Sequence, residues 1–594
     1  MKLERVDASE FVQADVAPAG NARGSSRAQK IAPRTQPITS AATLKQTLRT
    51  TFGIQKLRGE QERVIRRVLE GKDTLAVMPT GAGKSLCYQL PALHLDGTTI
   101  VVSPLIALMK DQADKLGEAG VATVQLNSTL NATDETEAIA KVARGAVPIV
   151  FATPERMSHP ATLKALLKAK VNLFVIDEAH CISQWGHDFR PAFLELSVAL
   201  NALGQPPVLA LTATATDRVI EDIVSELDRP QLMVIQTGIF RPNLHYRVVQ
   251  TTTDEEKMAR VVQIVRQSQG SGIVYAATIK MVEAMHQAMV DAGISAGLYH
   301  GALPAAERRQ QQDAFMSGEV KVMAATNAFG LGVDKSDIRF VIHGQMPGNI
   351  EAYYQETGRG GRDGETVRCT LLYDTRDRRV QQFFLAGRYP DADQVETIGE
   401  KLRELTGDSA VEFDVLRHAL PELPAVKIKV AIKLLIDAGI VRRVDAGKLV
   451  VRRKIDAKRI ARLVTGYADR AEHDREKLER MVFYAQTGLC RWRVLLEYFD
   501  EALPSGERCD TCDNCIRAAR AAVEPILPDK PLRVTAPKVR RDYGTGDRVR
   551  VPQHGEGRVL RAADNEITVE FPNGEERTFL RSFVHIVHPA AASA

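Results

Sequence analysis

Three short segments carry residue types that, at their spacing, suit phosphate chemistry. Met78-Pro79-Thr80-Gly81-Ala82-Gly83-Lys84-Ser85 lies between a β-like run and a helix-like run. In that setting a glycine-rich turn can close its backbone N–H groups around phosphate oxygens at a helix N-terminus. Thr80, Gly81, Ala82 and Gly83 would form the cradle, Lys84 would bring charge to the β- and γ-phosphates of ATP, and the Ser85 hydroxyl could ligate Mg²⁺. Met78 stands where such loops usually have their first glycine. A glycine-rich turn by chance is the plain alternative, and the flanking elements weigh against it.

Asp177-Glu178-Ala179-His180 closes the apolar run Leu173-Phe174-Val175-Ile176, so two carboxylates emerge where a parallel strand ends, beside the phosphate loop. Asp177 would hold the Mg²⁺, and Glu178 would orient and deprotonate the attacking water. Alone, the tetrapeptide also reads as a solvated loop; next to the phosphate loop it reads as catalytic. Gln355-Glu356-Thr357-Gly358-Arg359-Gly360-Gly361-Arg362-Asp363-Gly364 sets Arg359 and Arg362 among glycines. An arginine reaching across a cleft can neutralise charge on the transferred phosphoryl group, an effect of about 10³–10⁵ in rate where it has been measured. A solvated basic turn is the alternative.

Cys490, Cys509, Cys512 and Cys515 follow the pattern C-x18-C-x2-C-x2-C. Four thiolates suit tetrahedral Zn²⁺, and an iron–sulfur cluster is the serious rival because similar sites hold either. A pair of disulfides is disfavoured in a reducing compartment. Cys87, Cys181 and Cys369 sit singly in apolar runs, where buried thiols are expected.

These residues need elements to hold them. The chain has 594 residues, 44% hydrophobic and 26% charged, enough for roughly four domains of ~150 residues. Residues 1–43, rich in Ala, Ser, Gly and Pro, read as a disordered tail. From 44 to 390 short apolar strands such as Thr74–Met78, Thr99–Val102, Leu173–Ile176, Val208–Leu211 and Gly272–Tyr275 alternate with helical stretches, the pattern of parallel α/β. That length exceeds one ordinary sheet, so we expect two lobes, 44–236 and 237–390, with a cleft between them. Helices and then a hairpin at Ile440–Arg453, turning at Asp445-Ala446-Gly447, predict a winged-helix-like domain over 391–455. A helical zinc-binding module over 456–520 and a proline-bearing linker over 521–540 follow. Alternating β-rich segments over 541–589 predict a small SH3/Tudor-like barrel.

Further segments give a family resemblance. Leu57-Arg58-Gly59-Glu60-Gln61 after Phe52-Gly53 resembles the adenine-recognition segment of the RecQ helicases. Ser103–Gln112, Leu211-Thr212-Ala213-Thr214-Ala215, Phe240-Arg241-Pro242-Asn243-Leu244, Tyr299-His300-Gly301 and Ala328–Asp334 resemble further blocks of that family, so the likeness covers about residues 50–375. It implies two RecA-like lobes and contacts from Arg58 and Gln61 to adenine; an amide that both donates and accepts suits a purine edge. Ile54 stands where the family often has an aromatic residue to stack on the base. The loop Cys181-Ile182-Ser183-Gln184-Trp185-Gly186-His187-Asp188-Phe189-Arg190-Pro191 resembles the family's aromatic-rich loop. Trp185 and Phe189 would stack on unpaired bases for about 1–3 kcal/mol per base, and Arg190 would meet phosphate; core packing of the two aromatics is the alternative. The four-cysteine pattern, with Cys512-Asp513-Asn514-Cys515, is similar to the family's zinc module.

The resemblance implies an ATP-dependent DNA helicase, running 3′ to 5′ on single-stranded and duplex DNA in repair or recombination. An RNA helicase, suggested by the Asp-Glu-Ala-His box, and a DNA-binding scaffold with a vestigial ATP site are the competing readings. Here the winged-helix-like domain precedes the zinc module, the reverse of the family's usual order, and its turn carries no aromatic residue to wedge base pairs apart. Arg442, Arg443, Arg452 and Arg453 could hold a duplex backbone. The segment Gly546–Leu560 resembles tails of UvrD-type helicases, which suggests a protein partner, RNA polymerase or a repair protein. A net charge of +5 over this length is weak support for nucleic acid. No run of ~18 apolar residues spans a bilayer, and Met1–Asp15 has four acidic residues and no secretory core, so a cytoplasmic, nucleoid-associated protein is expected.

Overall fold

Runs of aliphatic and β-branched residues that show no polar alternation are what a parallel strand needs when both of its faces are covered. Five of them, with the partly covered edge strands β3 (Thr123–Leu126) and β7 (Met233–Gln236), build the first sheet: β1 (Thr74–Val77), β2 (Thr98–Val102), β4 (Ile149–Ala152), β5 (Val171–Ile176) and β6 (Val208–Thr212). They lie in the order β3-β4-β2-β5-β6-β1-β7, and each pairing is parallel. Because side chains alternate along a strand, Leu75, Val77, Ile100, Val102, Phe174 and Ile176 face one helical layer. Ala76, Val101, Leu173, Val175, Leu209 and Leu211 face the other. The computed structural model describes residues 41–523 and 543–587, apart from 184–185, 187–189, 331–334, 388–389, 407–408, 445–447, 454–456, 553, 564–565 and 582–583. The expected tail, the 521–540 linker and the hairpin turn at 445–447 lie wholly or almost wholly outside the described residues.

The second lobe repeats the plan. Strands β8 (Leu244–Gln250), β9 (Ser271–Tyr275), β10 (Ala296–Tyr299), β11 (Val322–Ala325), β12 (Ile338–His343) and β13 (Val367–Tyr373) lie parallel in the order β10-β11-β9-β12-β13-β8. Its edge strand β8 is not left open. Leu244, Tyr246, Val248, Cys369 and Leu371 share one core with Leu478, Met481, Trp492, Leu495 and Phe499. The Trp492 indole N–H donates to the Leu244 carbonyl at 3.0 Å. The cysteine-bearing stretch is therefore packed against the second lobe, and an edge strand that could otherwise pair with another chain is covered.

Between these two partners in sequence comes a body with its own core. Helices Ala392–Thr406, Phe413–His418 and Ala425–Asp437 precede the antiparallel pair β14 (Val441–Arg443) and β15 (Leu449–Val451), and Leu402, Leu416, Leu435 and Leu449 meet inside. The described residues divide into two compact units, one ending at Ala519 and one beginning at Arg520. The second holds five antiparallel strands, β16 (Arg548–Val551), β17 (Gly555–Ala562), β18 (Glu566–Glu570), β19 (Glu576–Leu580) and β20 (His585–Ile586), in the order β19-β18-β17-β16-β20. Val549, Val559, Ile567 and Val569 fill its interior. Two-residue β20 was not anticipated from sequence, since two residues are too few to show a period. Among the described residues no helix is long and apolar enough to cross a membrane.

Candidate functional site

The phosphate loop leaves β1 at the carboxyl end of the first sheet, next to β6 and one strand from β5, so the acidic tetrapeptide emerges beside it. Gly81 and Gly83 have φ of 82° and 79°, the left-handed region that glycine adopts without strain. Lys84 donates from Nζ to the Met78 carbonyl at 3.1 Å. Gln61 reaches over the loop, its amide nitrogen donating to Ala82 O at 2.9 Å and Gly83 O at 3.2 Å, while its Oε1 accepts from Arg58 N at 2.9 Å. Arg58 Nη1 donates to Gly81 O at 3.0 Å. The pair expected at adenine is thus engaged with the phosphate loop backbone. Ile54 packs in a small cluster with Leu48, Leu57 and Ile65.

Asp177 and Glu178 stand at the end of β5, and Glu178 has φ 52° and ψ 48°. A non-glycine residue held there stores about 1–3 kcal/mol, a strain found at sites where a side chain must be aimed. Burial pushes the Asp177 carboxyl up to about 7, the Glu178 carboxylate adds to the rise, and Lys84 opposes it. Burial pulls the Lys84 ammonium below the usual lysine range, against the pull of Glu178 and Asp177. Both shifts stem from loss of water between the same three groups. Behind them His180 is buried, with Nδ1 at 3.0 Å from Thr212 Oγ1 and 3.4 Å from Glu178 Oε2. Thr212 in turn donates to the Thr214 carbonyl at 3.0 Å. This relay ties the acidic box to the end of β6, and sequence reading had assigned no role to His180, Thr212 or Thr214.

The second lobe brings its arginines to the same place. A Cβ placed on Gly81 would lie 3.1 Å from Arg362 Cγ, and one on Gly358 would lie 3.2 Å from Thr80 Cβ. The arginine loop and the phosphate loop are therefore in close contact, and a Cβ at either glycine would require its neighbour to shift by a few tenths of an ångström. Arg362 is close enough for its charge to bear on Lys84. Arg359 points elsewhere: it is buried and donates to the Gly330 carbonyl, beside Tyr275, whose hydroxyl donates to Phe329 O at 2.9 Å. Of the two arginines, the geometry sets Arg362 over the phosphate loop and Arg359 beneath its own loop. Another buried pair backs the motif, His343 Nε2 at 2.8 Å from Glu356 Oε2.

Trp185 and Phe189 lie outside the described residues. Among the described residues beside them, Gly186 N donates to Ser183 O at 3.1 Å and Arg190 N to Cys181 O at 3.0 Å. A Cβ on Gly186 would fall 2.2 Å from the His180 carbonyl, so the chain can pass there only as glycine. The Arg190 guanidinium donates to Pro104 O at 3.0 Å, linking this loop to the segment after β2.

The four cysteine sulfurs expected to bind metal all lie within 4.8 Å of one another. Four thiolates at ~2.3 Å from one ion stand somewhat closer together than this, so the set fits zinc after a small contraction. The donors around it suit thiolates: Arg491 N and Cys515 N point to Cys512 Sγ at 3.4 and 3.5 Å, and Thr511 Oγ1 to Cys509 Sγ at 3.5 Å. Between the ligands, buried Arg491 pairs with half-buried Asp513 at 3.0 Å, and Asp513 accepts from Val248 N on β8 at 3.1 Å. Cys87, Cys181 and Cys369 are buried thiols outside any disulfide.

Three families match the chain: DEAD/DEAH box helicase over residues 58–223, helicase conserved C-terminal domain over 256–364, and RecQ zinc-binding over 454–516. The ATP-dependent DNA helicase RecQ of Bacillus subtilis (strain 168) is 43% identical over 356 residues, 60% of this chain and 60% of that protein. The probable ATP-dependent DNA helicase RecS of the same organism is 36% identical over 463 residues, 77% of this chain. This chain thus spans 60% of the first relative's length and 89% of the second's. Among solved structures, a Mycobacterium smegmatis helicase Lhr bound to ssDNA and AMP-PNP has 21% identity and a TM-score of 0.48, covering 72% of this chain and 61% of that one.

Proposed function

Because this chain belongs to the RecQ family of ATP-dependent DNA helicases, we propose that it couples ATP hydrolysis to 3′-to-5′ movement along one DNA strand and separates duplex DNA during repair or recombination. The observation that carries the reading is the meeting of four charged groups from two lobes: Lys84 beside Asp177 and Glu178, with Arg362 over the same loop. When bound, Mg²⁺ would supply positive charge that offsets the charge of the transferred phosphoryl group. The chain's own residues do the rest. Ser85 and Asp177 would hold the ion, Thr80 to Gly83 would cradle the phosphates with Lys84, and Glu178 would take the proton of the attacking water. Arg362 would stabilise the charge on the transferred group, with Arg359 supporting the loop. Arg58 and Gln61 would turn from the phosphate loop to adenine when nucleotide enters.

Trp185, Phe189 and Arg190 would grip single-stranded DNA beside the acidic box, which places base stacking next to the water-activating carboxylate. The body at 391–455 reads as a winged helix whose Arg442 and Arg452, both exposed, suit a duplex backbone rather than a separating pin. Zinc held by Cys490, Cys509, Cys512 and Cys515 would be structural, and metal analysis separates it from iron–sulfur. The five-stranded barrel would dock a protein, RNA polymerase or a repair factor, and the setting would be the cytoplasm at the nucleoid. Against an RNA helicase stand the four-cysteine module and the family. Lys84→Ala is expected to abolish ATPase by at least ~10²-fold while leaving single-strand DNA binding within a few-fold, because it removes charge from the phosphates alone. Retained hydrolysis would refute the assignment of the site.

A further inference from the structure

Arg241 lies where the two lobes join, three residues beyond Gly238, whose φ is 75°. Its guanidinium addresses the arginine loop as a fork. Nη1 donates to Gly358 O at 2.8 Å, Nη2 to Gly360 O at 2.7 Å and Gly361 O at 2.6 Å, and a longer contact of 3.4 Å runs from Nη1 to Thr80 O of the phosphate loop. One side chain thus gathers three carbonyls around Arg359 and Arg362 and reaches the residue before Gly81. Its own backbone is fixed from the zinc-module side: Ile239 N donates to Glu501 Oε2 at 2.9 Å, and the Phe240 ring packs edge-on against Trp492 at 4.9 Å. Tyr354 clamps the same residue by donating to Ile239 O at 2.7 Å, and Asn243 Nδ2 adds a bond to Gly361 O at 2.9 Å.

We propose that Arg241 is a positioning residue for phosphoryl transfer: its guanidinium sets where the arginine loop stands over the phosphate loop and ties that setting to the segment joining the lobes. The inference rests on the reading of the arginine loop given above. A planar fork with five donors can hold several carbonyls at once, whereas a lysine ammonium is a point charge on a flexible stem and would hold fewer of them. A displacement of the order of 1 Å at a catalytic group can cost about 10²-fold in rate, so the account needs Arg241 to act on turnover and not on nucleotide affinity.

The experiment measures DNA-stimulated ATPase for Arg241→Gln, Arg241→Lys, Arg362→Ala and the Arg241→Gln/Arg362→Ala double variant of the full chain. Arg241→Gln is expected to lower kcat by about 10²-fold with the KM for ATP within about 3-fold, and Arg241→Lys to fall between it and the parent. Added to Arg362→Ala, the same change should cost less than about 3-fold more, since both act through one loop. The inference is overturned if Arg241→Gln keeps kcat within about 3-fold of the parent, or if its effect multiplies fully with that of Arg362→Ala. Should Arg241→Gln fail to fold, Arg241→Lys carries the same test through its kcat. An Arg362→Ala variant with unaltered kcat would instead sink the reading of the arginine loop on which the inference stands.

Discussion

Asp177 is the residue whose environment makes the sharpest demand. Its carboxyl is pushed up to about 7 by burial and by Glu178. A carboxyl with a raised value binds a proton more readily in the folded state than in the unfolded one, so its contribution to stability is full below the ordinary value of 3.8 and is lost progressively as pH rises from there through about 7. The nucleotide-free protein should therefore melt higher at pH 6 than at pH 8, and Asp177→Asn should shrink that difference; an unchanged difference on thermal melting contradicts the shift. For Trp185→Ala, DNA stimulation of ATPase should fall more than the basal rate, and an equal loss would return Trp185 to the core. What could be read from sequence at this scale was local. The phosphate loop and the paired carboxylates are contiguous, and their chemistry requires those residue types side by side. Arg241 and His180 could not be read that way: Arg241 meets Gly358 across 117 positions and His180 meets Thr212 across 32. Such a contact leaves no local spacing to detect.

At the scale of elements, the central parallel strands declared themselves because they are apolar on both faces, and the length of the α/β stretch required two sheets. The packing of the zinc-bearing helices did not, for sequence order separates them from the second lobe by the 391–455 body while the core of β8 and Trp492 joins them. The 391–455 body is an insertion in sequence between partners that share a core: the cysteine-bearing stretch covers the edge strand of the second lobe even though another body intervenes. It follows that metal removal should act beyond the metal site. Structural zinc contributes on the order of 10 kcal/mol in small modules, so a chelator should lower the melting temperature of the second lobe together with that of the module, in a single calorimetric transition. Two transitions, with the lobe unmoved, would show that the shared core does not couple them. Trp492→Ala should cost about 3–5 kcal/mol, as the loss of a buried large aromatic does, with activity failing at lower temperature before it fails at the site.

For the whole molecule, net charge and composition decided little, and the placing of a few charges decided much. A charge of +5 is compatible with DNA and with many other partners, whereas under the proposed function a cleft closed by groups from two lobes would turn hydrolysis into relative movement of those lobes. The C-terminal antiparallel sheet is a compact unit with its own core. Deleting 541–594 should leave DNA-stimulated ATPase within about 2-fold, because no residue of the site lies there, and should abolish any pull-down of RNA polymerase; absence of pull-down by the full chain would remove the docking role. The central claim is a motor that opens DNA, and the most direct measurement is strand separation of a 3′-tailed DNA duplex. A blunt duplex, a 5′-tailed duplex and an RNA duplex of the same sequence are the comparisons, with ATP and with Lys84→Ala as the control. The account predicts unwinding of the 3′-tailed DNA alone, lost in Lys84→Ala. Unwinding of RNA with equal or greater efficiency, or ATPase without separation of any strand, would contradict it.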